Sequence, residues 1–297
     1  MATDPFERAP TTDPRVLLGV ARDLAALRAG IVAAITPDRT DALPLIAETR
    51  RSRVVRLEVE GQPLVVKRYV EPGVFLLRTF LRASRARREA AALQLVARAV
   101  PGNPVRPVAW AERRGLGFVP SSWLVTTELT DSLSLRRLKH LEGAVREVVR
   151  GAVLEALPLR VAELHRGGVF ARNLHAKNVL VQPASGGLGF IDLPRASAVR
   201  HVSESQRVYD LACLTKELRR SLTVDDLRRF FTHYARAAAL DLSAERLQEA
   251  VARRADLLDN RTPLAGAAHG LRKRLKRTWL GQLVIGHRYD GQDGGSP

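Results

Sequence analysis

The pattern of apolar and polar residues changes near the middle of the chain, from short extended runs to helical periodicity. Two β-branched runs around Gly61 predict a hairpin over residues 52–69, and a second pair of strands is predicted at 105–111 and 122–128. We place the turn of this second pair at residues 113–115, which end in glycine. The first half of the chain is therefore predicted to be rich in strands.

Helical spacing occurs in two places within this first half. Residues 84–99 are rich in Ala, Arg, Glu and Leu, and Ser84 is a suitable N-cap for a helix there. Residues 16–35 also have the spacing of an amphipathic helix. Several prolines in residues 1–15 predict a loose tail before it.

Helical periodicity dominates the second half. Helices are predicted over residues 134–150 and 152–166, and two short strands follow at 178–182 and 189–192. Further helices fill most of residues 205–258. This order predicts an α+β, bilobal protein-kinase-like fold, with an antiparallel-sheet N-lobe containing one helix and a mainly helical C-lobe. A doubly wound sheet is not expected, because its strands and helices would alternate throughout.

These elements divide the chain into four predicted segments. They are an N-terminal tail and helix (1–50), an N-lobe (51–130), a C-lobe (131–281) and a flexible tail (282–297).

The composition is that of a globular protein, with 45% hydrophobic and 27% charged residues. Cys213 is the only cysteine, so no disulfide can form within the chain, and a cytoplasmic location is expected. The first residues lack the basic start and apolar stretch of a signal peptide. The sequence contains no run of about 18 uncharged apolar residues, so no membrane span is predicted.

The net charge of +17 favours anionic partners. A solvated surface is the commonest role of basic runs, and peripheral attachment to an anionic inner-membrane surface is the functional alternative. A nucleic-acid-binding protein is a less favoured alternative, because aromatic residues make up only 5% of the chain and no recognition motif is present. The basic runs are Arg78, Arg82, Arg85, Arg87 and Arg88, and residues 272–277.

Lys67 ends an apolar strand, where a lysine can point into a cleft and hold nucleotide phosphates. Glu89 lies inside the helix predicted over 84–99, and a helix following such a strand can turn a glutamate towards the lysine. Taken singly, each side chain is more often a solvated surface group. Together they predict an ion pair that orients the lysine.

Asn178 and Asp192 are candidates for a metal site. Asn178 begins one short predicted strand and Asp192 ends the next. Carboxylate and amide oxygens together with nucleotide phosphate oxygens suit Mg²⁺, which prefers hard oxygen ligands.

The order of these residues resembles the catalytic and metal-binding loops of protein kinases. His165, Asn178 and Asp192 match those loops, and Lys67 and Glu89 fall where the strand lysine and its helix glutamate stand. The resemblance implies that ATP and Mg²⁺ are the cofactors.

Two further positions follow from the same resemblance. Glu128 falls at the hinge between the lobes, which implies contact with the nucleotide. Asp210 resembles the buried aspartate of the large lobe that braces the catalytic loop through backbone hydrogen bonds.

Among kinase-like families, the chain is most similar to the lipopolysaccharide core heptose and Kdo kinases. The resemblance covers roughly residues 50–235, and its motifs are moderately specific together and weak singly. The stretches that match are 66–69, 86–90, a Leu-His-x-x-Gly loop at 164–168, an Ile-Asp-Leu-x-Arg-Ala loop at 191–196, and an Asp-Leu-Ala-x-Leu run at 210–214.

The chain departs from the kinase pattern at two places. A Gly-x-Gly-x-x-Gly loop is missing before Lys67, and Asn173 occupies the slot of the aspartate that accepts the hydroxyl proton. An amide oxygen can orient a hydroxyl but cannot take its proton at neutral pH. Ala171 also replaces the usual histidine. His175 is a candidate substitute base, with an unperturbed pKa of about 6.5, although a histidine there more often braces the loop.

The resulting interpretation is an ATP-dependent phosphotransferase that acts on a sugar hydroxyl of the lipopolysaccharide core. Lys67 would hold the phosphates, oriented by Glu89, while Asn178 and Asp192 would hold the metal and Asn173 would position the acceptor hydroxyl. The open alternatives are a nucleotide-binding pseudokinase with a scaffolding or regulatory role, and a kinase of proteins or small molecules.

Overall fold

The computed structural model describes residues 5–9, 11, 13, 15–35, 37–172 and 174–260. The basic run at 272–277, the predicted tail and Asn173 lie outside the described residues. Within the described ranges, no helix combines the length and hydropathy that crossing a bilayer requires.

One antiparallel sheet of seven strands occupies the first half of the chain. Its strands are β1 (Phe6–Ala9), β2 (Val16–Ala21), β3 (Leu45–Thr49), β4 (Ser52–Val59), β5 (Gln62–Val70), β6 (Pro107–Gly115) and β7 (Phe118–Thr127). Their order across the sheet is β1-β2-β6-β7-β5-β4-β3. The hairpin predicted over residues 52–69 is confirmed, because β4 and β5 pair along their whole length and turn at Gly61, whose φ is +74°.

The second predicted hairpin is also present, but its turn was placed wrongly at residues 113–115. The chain reverses at Leu116 and Gly117, whose φ angles are +50° and +81°. The type I′ form of a two-residue hairpin turn requires positive φ at both central residues, and glycine adopts it without steric cost. A Cβ at position 117 would also lie 2.8 Å from the Phe80 ring, so the site is closed to larger residues.

The predicted tail over residues 1–15 and helix over 16–35 are wrong for the residues of β1 and β2. Short apolar runs cannot be assigned to helix or strand by periodicity alone, and β2 instead pairs with β6. Gly19 permits this pairing at close range, because a Cβ there would lie 2.6 Å from the Trp110 ring. Helical structure begins only after β2, as a 3₁₀ turn (Arg22–Leu27), α1 (Arg28–Ala34) and α2 (Pro37–Ala42).

Helices cover both faces of the sheet. Ile31 of α1 is fully buried against one face, and Leu93 is buried against the other. Leu93 belongs to α4 (Arg85–Ala99), which follows the single turn α3 (Val74–Leu77). The predicted N-cap is confirmed, since the Ser84 hydroxyl accepts a hydrogen bond of 3.0 Å from the Arg87 N–H.

The second half is mainly helical, as predicted. Its helices are α5 (Gly143–Arg166), α6 (Glu204–Leu218), α7 (Val224–Ala237) and α8 (Ala244–Asn260), with 3₁₀ turns at Leu135–His140 and Ala176–Asn178. Its short strands are β8 (Leu133–Ser134), β9 (Val169–Phe170), β10 (Val179–Val181), β11 (Leu188–Phe190) and β12 (Ser197–Ala198).

One long helix, α5, replaces the two helices predicted over residues 134–150 and 152–166. Gly151 lies inside it and costs about 1 kcal/mol relative to alanine. Burial of Val149 and Val153 on either side offsets this cost, because both side chains are fully buried in the core of the helical lobe.

The strands β10 and β11 bring together two residues that are distant in sequence. They pair antiparallel, with Val179 opposite Phe190. Asn178 directly precedes β10 and Asp192 follows β11, so both lie at the same end of the ribbon. That end of the ribbon faces the sheet of the first half. Residues 128–132 connect the two halves of the chain.

Candidate active site

A cleft of about 520 Å³ lies between the sheet and the helical lobe. Of the predicted site residues, it is lined by Lys67, Glu89, Glu128, Asn178 and Asp192. These five residues come from five different segments of the chain, so their convergence is a property of the fold and not of local sequence.

Strand alternation directs Lys67 into this cleft. Val66 is fully buried in the core on one face of β5, so its neighbour Lys67 points to the opposite face. The Lys67 ammonium there lies 3.2 Å from Glu89 Oε1 and 2.9 Å from Asp192 Oδ1. The predicted lysine–glutamate pair is therefore present, and a second carboxylate shares the same ammonium.

Glu89 is only 2% exposed on the inner face of α4. A buried carboxylate is tolerated when donors satisfy its oxygens, and here Lys67 and the Tyr69 hydroxyl do so. Burial, together with the negative charge and hydrogen bond of Glu89, raises the pKa of Tyr69 far above its usual value. Tyr69 therefore remains a hydrogen-bond donor at neutral pH and fixes the glutamate.

Asp192 has a φ of +49°, in the left-handed region, and its side chain is one-third exposed in the cleft. Burial alone would raise its pKa, but the charge and hydrogen bond of Lys67 outweigh burial and lower the pKa of Asp192 below its usual value. Arg85 and Lys177 act in the same direction. Asp192 is thus a stable carboxylate at neutral pH.

Asn178 is 2% exposed and anchors the loop that bears Asp192. Its Nδ2 donates a hydrogen bond of 3.1 Å to the Asp192 carbonyl. Its own carbonyl accepts one of 2.9 Å from the Ile191 N–H. These bonds fix the relative positions of the Asn178 and Asp192 side chains.

The donor set at this point fits Mg²⁺ bound together with phosphate. Asn178 and Asp192 offer amide and carboxylate oxygen chemistry, which magnesium prefers. In the described part of the chain, no group of three or more His, Cys, Asp or Glu side chains forms a separate metal cage. A site with two protein side chains suits a cation that shares its remaining positions with a nucleotide and water.

Glu128 lines the cleft, but its side chain is engaged elsewhere. Both carboxylate oxygens accept hydrogen bonds from the Arg56 guanidinium, at 2.6–2.9 Å. Its N–H donates to the Pro63 carbonyl at 3.0 Å. Of the groups at Glu128, the backbone carbonyl is the one that the structure leaves for a ligand.

His175 does not line the cleft. Its Nδ1 lies 3.9 Å from Glu217 Oε1 on α6, so the ring faces the helical lobe. Burial lowers the pKa of His175, and the nearby Glu217 only partly opposes this effect. The arrangement matches the loop-bracing interpretation of His175 better than that of a substitute base.

A buried network supports the segment at residues 170–172, which follows α5. Asp210 Oδ2 accepts a hydrogen bond of 2.8 Å from the Ala171 N–H and lies 3.4 Å from His165 Nε2. The other ring nitrogen of His165 lies 2.7 Å from the Tyr234 hydroxyl. Because burial lowers the pKa of His165, the ring is neutral, and the tautomer that donates from Nε2 to the carboxylate accepts the tyrosine proton at Nδ1.

Three residues that line or support the cleft were not identified from the sequence. Tyr69 lies two residues after Lys67 on the same face of β5, so strand alternation contained the signal for it. Lys177 lines the cleft directly before Asn178, and adjacency to a predicted ligand was its signal. Arg56 pairs with Glu128 across 72 residues of sequence, and no local pattern indicates such a pair.

Comparison with known proteins identifies a matching family and a similar solved structure. The family described as "Lipopolysaccharide kinase (Kdo/WaaP) family" matches residues 75–234. A solved structure described as "WaaP in complex with acyl carrier protein" is 25% identical, with a TM-score of 0.54, and the match covers 81% of this chain and 98% of that chain. No curated protein matches the chain. The predicted family resemblance and the bilobal kinase-like fold are thereby confirmed.

The lowered pKa of Asp192 predicts a specific dependence of stability on pH. A carboxylate whose pKa is lower in the folded state than its unfolded value, about 3.9, stabilises the fold above that value, and this stabilisation is lost as the pH falls through the folded pKa. Asp192→Asn should therefore lose less unfolding free energy than the wild type between about pH 5 and pH 3. Denaturant unfolding at several pH values measures this difference.

Asp225→Asn is the matched control, because Asp225 is an exposed carboxylate on α7, away from the cleft. Its pH profile should run parallel to that of the wild type. Parallel profiles for Asp192→Asn and the wild type would contradict the assigned role of Lys67.

Proposed function

The chain belongs to the lipopolysaccharide kinase (Kdo/WaaP) family, and we propose on this premise that it transfers the γ-phosphoryl group of ATP to a sugar hydroxyl of the lipopolysaccharide core. The observation that supports the proposal most is the convergence of Lys67, Glu89, Asn178 and Asp192 in one cleft. Phosphoryl transfer depends mainly on positioning and charge stabilisation, and these side chains provide both.

The shape of the cleft suits a nucleotide. Apolar side chains line part of the cleft and can pack against a flat base, and the carboxylates of Glu89 and Asp192 both contact the Lys67 ammonium. The Glu128 carbonyl can accept a hydrogen bond from an exocyclic amine of the base. The apolar lining residues include Ile46, Val54, Val65, Leu124, Leu180 and Ile191.

Each charged side chain has a role in the proposed reaction. Lys67, oriented by Glu89, binds the phosphates of ATP, and Asn178 and Asp192 hold Mg²⁺, which neutralises charge on the phosphate oxygens when bound. The acceptor oxygen bonds to the γ-phosphorus as the bond to the β–γ bridging oxygen breaks. In the position of the usual base, Asn173 orients the acceptor hydroxyl, whose proton leaves to solvent.

Mg-ATP should stabilise the wild type but not variants of the charged site. At about 100 times Kd, a ligand adds roughly 2.7 kcal/mol, which raises the Tm of a chain of this size by about 5 °C. Lys67→Ala and Asp192→Ala should lose most of this shift in a thermal-denaturation titration. Lys139→Ala, at an exposed lysine outside the cleft, should keep it. Equal Tm shifts in all four proteins would contradict the roles proposed for Lys67 and Asp192.

The pseudokinase alternative rests on Asn173, since an asparagine cannot act as a general base. Under this alternative the chain binds nucleotide without transferring phosphate, and it acts as a scaffold or regulator. Binding of Mg-ATP without turnover on core oligosaccharide acceptors would favour the pseudokinase.

Two substitutions at residue 173 should change kcat in opposite directions. Asn173→Asp restores a general base, and such a base contributes about 10²–10⁴-fold to rate, so kcat should rise by about two orders of magnitude. Asn173→Ala should lower kcat, because it removes the group that orients the hydroxyl. Steady-state assays with radiolabelled ATP measure both, and equal rates in all three proteins would contradict the role of this position.

We further propose that the protein attaches peripherally to the anionic inner face of the membrane. Leu77, Leu81 and Leu116 are 66%, 76% and 94% exposed, and with Phe80 they form an apolar patch on the N-lobe. The Leu81 N–H donates a 3.0 Å hydrogen bond to the Gly117 carbonyl, which links the two loops of the patch. Exposed arginines flank it at positions 78 and 82. Apolar groups with a basic rim are the features that bind anionic lipid surfaces.

Vesicle co-sedimentation tests this surface. Vesicles containing phosphatidylglycerol should bind the protein, and the triple variant Leu77→Ser, Leu81→Ser, Leu116→Ser should bind at least tenfold more weakly, since burying one leucine contributes about 1.5–3 kcal/mol. Val224→Ser, at a valine 68% exposed on the helical lobe, is the matched control and should bind like the wild type. Undiminished binding by the triple variant would exclude the patch.

A further inference from the structure

Among the described residues that line the cleft, Lys177 has the one cationic side chain without a partner. The basic side chains of the lining are Arg56, Lys67 and Lys177. The Arg56 guanidinium is bonded to both carboxylate oxygens of Glu128, and two carboxylates hold the Lys67 ammonium. Within the part of the chain that the structure describes, the Lys177 ammonium forms neither a hydrogen bond nor an ion pair. Its charge is therefore free to meet a ligand of the cleft.

The backbone at Lys177 is held on both sides. Its neighbours in the 3₁₀ turn, Ala176 and Asn178, are 0% and 2% exposed, whereas Lys177 itself is exposed. The Ser134 hydroxyl donates a hydrogen bond of 3.2 Å to the Lys177 carbonyl, and the Asn178 N–H donates one of 2.8 Å to the His175 carbonyl. A fixed backbone thus directs a long, flexible cation to the region beside the proposed metal ligand Asn178.

The charge of Lys177 acts at the proposed metal site. Burial raises the pKa of Asp192, but the charge and hydrogen bond of Lys67 outweigh burial, and the charges of Arg85 and Lys177 lower the pKa further. Arg85 does not line the cleft, and its guanidinium carbon lies 4.5 Å from the centre of the Tyr69 ring. Apart from Lys67, Lys177 is therefore the described cation that both acts on Asp192 and lines the cleft.

A bound triphosphate needs more positive charge than Lys67 alone supplies. The triphosphate keeps a net negative charge after one divalent ion binds, and Lys67 already shares its charge between Glu89 and Asp192. During phosphoryl transfer, negative charge is spread over the equatorial oxygens of the γ-phosphoryl group, and stabilising this charge is most of the catalysis. A lysine binds phosphate as a point charge with several N–H donors, which suits these oxygens.

We propose that Lys177 is a catalytic residue that binds the γ-phosphoryl group of ATP and stabilises it during transfer. Its ammonium donates hydrogen bonds to the γ-oxygens while the acceptor oxygen bonds to the γ-phosphorus and the bond to the β–γ bridging oxygen breaks. The electrons of the broken bond leave with ADP, the acceptor proton leaves to solvent, and no proton moves to or from Lys177. This inference rests on the proposed kinase function, but nucleotide binding tests it without an acceptor.

The test compares the binding of ADP with that of the non-hydrolysable β,γ-imido analogue of ATP, each with Mg²⁺, by isothermal titration calorimetry. The two ligands differ in the γ-phosphoryl group. Lys177→Met should weaken binding of the analogue by roughly tenfold, the effect of losing one charge-assisted hydrogen bond, and should leave the affinity for ADP unchanged. Lys177→Arg keeps the charge and should retain most of the affinity for the analogue.

Turnover gives a second measurement. In steady-state assays with a core oligosaccharide acceptor, Lys177→Met should lower kcat by about 10²-fold, as the loss of one preorganised donor does at other sites of developing negative charge. Lys139→Met is the matched control, because Lys139 is an exposed lysine in another 3₁₀ turn, Leu135–His140, outside the cleft. It should resemble the wild type in both assays, and unchanged thermal-denaturation midpoints show that the variants are folded.

Two results would overturn the role of Lys177 alone. One is wild-type affinity of Lys177→Met for the analogue. The other is an equal loss of affinity for the analogue and for ADP, which indicates general attraction of anions and not contact with the γ-phosphoryl group. In both cases the wild type still binds nucleotide, so the proposed kinase site is retained. Failure of the wild type to bind either nucleotide would instead contradict the kinase function, and the role of Lys177 with it.

Discussion

The Lys67 ammonium, placed between two carboxylates, is the interaction on which the site depends. It joins β5 to the inner face of α4 through Glu89 and to the loop after β11 through Asp192, at 3.2 and 2.9 Å. Without it, a nearly buried carboxylate would lose its cationic partner, which costs several kcal/mol. One cation therefore sets the orientation of α4 and the position of the loop that bears Asp192.

This arrangement also leaves the cleft with an unbalanced charge. Two carboxylates face one ammonium, and the neighbouring cations Arg85 and Lys177 act on Asp192 from further away. A divalent ion beside Asp192 would offset the excess negative charge, while the phosphates that accompany the ion would meet Lys67. The proposed metal-bound nucleotide would therefore supply positive charge to Asp192 and negative charge to Lys67.

Much of this geometry could be predicted, because it follows from local patterns. The Gly61 hairpin set Lys67 on a strand, and the Ser84 cap set the start of the helix that bears Glu89. Asn178 and Asp192 were recognised from the strand ends that they flank. These are short-range features, in which turn chemistry and capping act within a few residues.

The parts that could not be predicted depend on contacts across the chain. The pairing of Arg56 with Glu128 is such a contact, as is the packing of His175 beside Glu217. The first two strands were mistaken for a tail and a helix, since an apolar run of six residues is stabilised as strand or helix by what it packs against. For β2 that partner is β6, more than 80 residues later.

Because β2 pairs with β6, the N-terminal segment covers one edge of the strands β3 to β7. If the chain began after Ala21, the hydrogen-bonding groups of β6 opposite β2 would face solvent, beside the uncovered Trp110 ring. An edge strand with unpaired backbone N–H and C=O groups, next to an apolar surface, can pair with the same strand of another copy of the chain. Shortened versions of this protein that keep every residue of the cleft would therefore tend to self-associate through this edge.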